Sequence, residues 1–110
     1  MRRAVVDSAT ALLRALGARF ESFDGAFRVE ELSSRCWASV TFSGARHRIV
    51  FSLAGVDAGA TADSFVERLD ETDFDLRGHI LADVALLDAE RDGAGERVKL
   101  TIEALTVEDD

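Results

Sequence analysis

Apolar residues along this chain follow two different periods, each used twice, and that alternation limits the folds open to it. Val5, Ala9, Leu12, Leu13 and Leu16 recur at helical spacing and form one stripe, with Gly17 placed to end the helix. The spacing then changes to two. Phe27, Val29 and Glu31 alternate with Arg28, Glu30 and Leu32, and a better alternation runs from Arg35 to Ser43 and again from Arg46 to Leu53. A second, shorter helical stripe, Phe65, Val66 and Leu69, follows a glycine-containing loop, with Thr61 as its expected N-cap and an end near Glu71 or Thr72. His79 to Leu87 reads as a strand and Asp92 to Gly95 as a turn. Val98, Leu100, Ile102 and Ala104 alternate with Arg97, Lys99, Thr101 and Glu103 as the clearest half-buried strand.

Helix plus hairpin is thus written twice. The expected fold is α+β: a two-layer sandwich of order α-β(β)β-α-ββ, with one antiparallel sheet of four to five strands and both helices on one face. Parallel βαβ units fit less well, because each strand pair has its own tight turn. With 110 residues, 47% hydrophobic and 31% charged, residues 1–110 make one globular domain with a core that needs no metal or disulfide staple.

Gly44-Ala45 looks like a two-residue hairpin loop with Gly first. That turn would set Phe42 opposite His47, Val40 opposite Ile49 and Trp37 opposite Ser52. Cys36, Ala38, Val40, Phe42, His47, Ile49, Phe51 and Leu53 would then share the core face. Trp37, Ser39, Thr41, Ser43, Arg46, Arg48, Val50 and Ser52 would share the other.

The net charge of −8 argues against a nucleic-acid binder, which needs a basic footprint. Charge is divided unevenly. Residues 1–55 carry eight arginines and five acids, a net +3; residues 56–110 carry five basic residues and sixteen acids, a net −11. The two halves can attract within one fold or between subunits. No apolar run is long enough to span a membrane. Asp7 interrupts the arginine-led start before a signal-type apolar stretch can form, and the single Cys36 offers no disulfide, so a cytoplasmic setting is expected.

Chemical motifs are few. His47 sits near Ser43 and Cys36, but the expected register keeps Cys36 three residue pairs away and turns Ser43 to the other face. His47 reads as a histidine at the rim of the core, and Cys36 as an inert core thiol. His79 lies near Asp73 and Asp75, yet two histidines 32 residues apart make a poor metal set. Asp88 to Gly93 imitates the first half of a calcium loop, but Lys99 stands where the bidentate glutamate belongs. There is no phosphate-binding glycine motif. No metal, cofactor or catalytic set is therefore expected.

The outward hairpin face, with Trp37, Arg46, Arg48 and Val50, is the expected binding surface, since Trp and Arg are enriched at binding hot spots. The leading reading is a non-enzymatic interaction or assembly domain that self-associates as a homodimer through its sheet, or meets another protein there. The alternative is a small-ligand domain whose pocket lies between sheet and helices, lined by Phe20, Phe23, Phe27 and Phe74.

Overall fold

The computed structural model describes residues 2–71, 74, 76, 78–94 and 96–108, with side chains from residue 8 onward. The expectations placed on Thr72, Asp73, Asp75, Gly95 and the side chain of Val5 lie outside the described residues. The elements are α1 (Arg2–Ala18), β1 (Ala26–Ala38), β2 (Ser43–Ala54), α2 (Ala58–Glu67) with a 3-10 turn Leu69–Glu71, β3 (His79–Arg91) and β4 (Arg97–Glu108). The four strands form one antiparallel sheet in the order β1-β2-β4-β3, so two hairpins meet along a β2–β4 seam. Both helices cover the same sheet face, and the result is the small two-layer α+β sandwich that the two periods predict.

The core explains the layering. Leu12 and Leu16 of α1 and Ala58, Ala62 and Phe65 of α2 pack on Ile49, Phe51 and Leu53 of β2 and Val98, Leu100, Ile102 and Ala104 of β4. Phe51 is fully buried, and its ring meets Phe20, Phe27 and Phe65 at centroid separations of 5.6, 5.6 and 5.7 Å. The helices leave the opposite sheet face open.

The first hairpin turns elsewhere than Gly44-Ala45. Ala38 pairs with Ser43, and residues 39–42 form the loop. Ser39 closes it: its backbone N–H donates to the Phe42 carbonyl at 2.7 Å, and its hydroxyl oxygen accepts the Phe42 N–H at 3.1 Å. Trp37 consequently faces Gly44 instead of Ser52, a slide of eight residues. Eight is even, so the faces of β2 and of Trp37 survive the error. Val40 and Phe42 do not keep their expected core places. They sit on the loop, 103% and 59% exposed. Cys36 is also exposed, not buried.

Gly44 is needed for a different reason. A Cβ there would lie 1.9 Å from the Thr106 carbonyl oxygen and 3.0 Å from Trp37 Cζ2. The short strand at Phe27 and the following one are a single β1, joined through a bulge between Val29 and Glu31. The bulge inserts one residue, so inward positions change from Phe27 and Val29 to Leu32, Ser34 and Cys36. Thr61 is not the N-cap of α2. The helix begins at Ala58 after Asp57, and the Thr61 N–H donates to the Asp57 carbonyl within the first turn.

Gly44→Ala forces backbone apart at the seam and should destabilise the fold by about 2 kcal/mol or more. Urea denaturation of the two proteins measures it, and equal midpoints would contradict the close approach.

Candidate functional site

The open sheet face is built by strand parity. Across the four strands its rows are Trp37, Gly44, Val107 and Ile80; then Arg35, Arg46, Leu105 and Asp83; then Ser33, Arg48, Glu103 and Ala85. Trp37, Arg46, Arg48 and Val50 thus share one face, opposite the helices. They are not equivalent there. Arg46 and Arg48 are exposed, Trp37 is half-buried over Gly44, and Val50 is 7% exposed, sunk among longer neighbours in the middle of the sheet.

The face has an apolar end and a charged middle. Ile80 is 51% exposed, and with Val40, Phe42 and Val107 it borders a depression of about 380 Å³ at the hairpin end. The indole Nε1 of Trp37 is buried with no hydrogen-bond partner in the described structure. Next to this end, Arg35 stands directly opposite Arg46, a like-charge pair that a sheet disfavours. Arg46 is compensated by Glu103 at 3.0 Å. Arg35 and Arg48 have no ion pair among the described residues. A depression of about 350 Å³ opens between Ser33, Arg35, Arg46, Arg48 and Glu103.

Arg35, Ile80, Leu105 and Val107 belong to this face but were not singled out from the sequence. A signal existed. In β4 the outward positions are charged or polar through Glu103 and then become Leu105 and Val107.

The aromatic residues proposed as a pocket lie on the helix side. Phe20 and Phe74 are each 6% exposed, while Phe23 and Phe27 are partly buried against the core. Phe20 stacks on Phe27 at 5.1 Å and meets Phe65 at 5.2 Å, so these rings fill one another's space. The Arg19 guanidinium lies over the Phe74 ring at 5.6 Å. A depression of about 260 Å³ borders Phe20 and Phe65, with Arg19, Thr61, Ser64 and Arg68 on its walls.

His47 is fully buried in a cluster of hydroxyls, not at the rim of the core. Its Nδ1 lies 2.7 Å from Ser34 Oγ, and its Nε2 lies 3.1 Å from Ser8 Oγ and 3.2 Å from Thr106 Oγ1. The Thr106 hydroxyl donates to the Ala45 carbonyl, so it is free to accept from Nε2–H. A neutral ring with Nε2 protonated and Nδ1 accepting from Ser34 fits these contacts. Burial, and secondarily the nearby His79, hold its pKa below the ordinary 6.5. The observed register brings Cys36 closer than expected, opposite Ala45, yet the ring nitrogens bond to hydroxyls and not to the thiol. Among the described residues no three His, Cys, Asp or Glu gather as a metal set, and no helix is long and apolar enough to cross a membrane.

No protein-family model matches the chain, and no curated protein matches it. A solved structure does. A chain from the virion of a native gene transfer agent particle superposes with a TM-score of 0.66 at 18% identity, over 93% of this chain and 98% of that one. The likeness at that identity is one of fold, and it spans nearly all of both chains.

The buried neutral ring makes stability depend on pH. The unfolded chain binds a proton at His47 more readily than the folded one, so stability should fall on acidification from 6.5 down to the lowered folded value and level off beneath it. Urea titrations across that range should show the slope in the native protein, and His47→Gln should remove the histidine's share of it.

Proposed function

We propose that this chain is a non-enzymatic assembly domain that self-associates through its open sheet face. The observation that carries the reading is the pairing, on one helix-free face, of an apolar end at Trp37, Val107 and Ile80 with Arg35 and Arg48, which have no ion pair among the described residues. An aromatic residue beside arginine is the composition of a binding hot spot. A face of this kind satisfies its charges when a partner covers it.

The edges favour the face over strand-to-strand extension. Edge strand β1 carries one bulge and edge strand β3 two, near Ala82 and Leu87. Bulges break the regular row of backbone donors and acceptors that edge pairing needs. The fold shared with a chain of a virion particle is in keeping with a structural, subunit-to-subunit role.

Native mass spectrometry and light scattering of the full chain should find a dimer at twice the chain mass. Trp37→Ser and Ile80→Ser should each weaken it at least roughly tenfold while leaving the far-UV circular dichroism unchanged, because truncating a hot spot costs about 2 kcal/mol or more. A chain that stays monomeric at high concentration would sink the reading. A monomer that carries a retained small molecule would instead favour the aromatic pocket.

A further inference from the structure

We infer that the self-association proposed above, on which this step rests, is an isologous pairing of two copies, open face on open face, about a twofold axis parallel to the strands. The open face is electrically divided along the β2–β4 seam. The β1–β2 half presents Arg28, Arg35, Arg46 and Arg48 with Glu31 and is net basic; the β4–β3 half presents Asp83, Asp88, Glu90 and Glu103 with Lys99 and Arg97 and is net acidic. Arg35, Arg48, Asp83 and Asp88 have no ion-pair partner within the chain among the described residues.

Two in-plane axes can bring the faces together, and charge chooses between them. An axis across the strands lays β1 on the partner's β1, arginine over arginine. An axis along the strands exchanges left for right and keeps each row at its own height. It sets Arg35 over the partner's Asp83, Arg48 over the partner's Glu103 and Trp37 over the partner's Ile80, and every contact occurs twice. One row is unfavourable, Glu31 over the partner's Asp88. Aligned sheets rotate by about 30°, which spreads the corners but keeps basic half over acidic half.

The area suits a stable dimer. Strands of 12 and 13 residues run about 40 Å, and four strands span about 20 Å, giving about 800 Å² per copy. A standard interface buries about that much on each partner.

A crossed charge reversal on the full chain tests the axis. Arg35→Glu alone, or Asp83→Arg alone, puts like charges at both equivalent contacts, so each homodimer should weaken at least roughly tenfold. Mixed in equal amounts, the two variants face opposite charges at both contacts, and heterodimer of wild-type strength should form in native mass spectra. Both positions are exposed, and circular dichroism confirms that each variant is folded. If Asp83→Arg does not fold, Asp83→Lys, with a slimmer cationic side chain, gives the same crossed test against Arg35→Glu. Variants that dimerise as the wild type does, or a mixture no stronger than its components, would overturn this axis while leaving self-association standing if Trp37→Ser still weakens it. A monomeric wild type would overturn both.

Discussion

The β2–β4 seam is the contact on which the rest of this molecule depends. It joins two hairpins that each leave an apolar face unpaired, and it places Ile49 and Phe51 beside Ile102 and Leu100. Neither helix has another surface on which to bury Leu12, Leu16 or Phe65. Because the helices take one face of the seam, the other is left to water or to a partner. The open face is therefore a by-product of where the core forms.

Much of this was legible in the sequence, for a physical reason. Helical and strand periods are set by backbone geometry, so the stripe through Leu12 and Leu16 and the alternation through Val98, Leu100 and Ile102 name their elements directly. The inward face of β2 was also readable, because a pairing error of even length leaves strand parity untouched. What escaped was local chemistry. Gly44 carries the sequence signature of a turn but serves a close backbone approach, while Ser39 closes the turn through its hydroxyl. The bulge beside Glu30 reverses parity with no apolar mark of its own, so one long strand reads as two.

The candidate surface was partly legible for the same reason. Trp37, Arg46 and Arg48 fall on one face by parity alone. Arg35, Ile80 and Val107 join them only once the order β1-β2-β4-β3 is known, since they come from strands far apart in the chain. His47 shows the limit of pattern reading. An apolar-face histidine could be assigned to the core side, but its three hydroxyl neighbours come from α1, β1 and β4.

The seam also divides the chain in time. Within the first hairpin, paired residues lie 5 to 28 positions apart; across the seam they lie 43 to 63 apart. Loop-closure entropy rises with that separation, so each hairpin zips from its own turn at a lower entropic cost than their docking. Docking across the seam therefore carries the larger closure cost, and a chain not yet joined there has two long ribbons with apolar faces open to another chain. A nascent chain of this design is safest when its second half follows its first without delay.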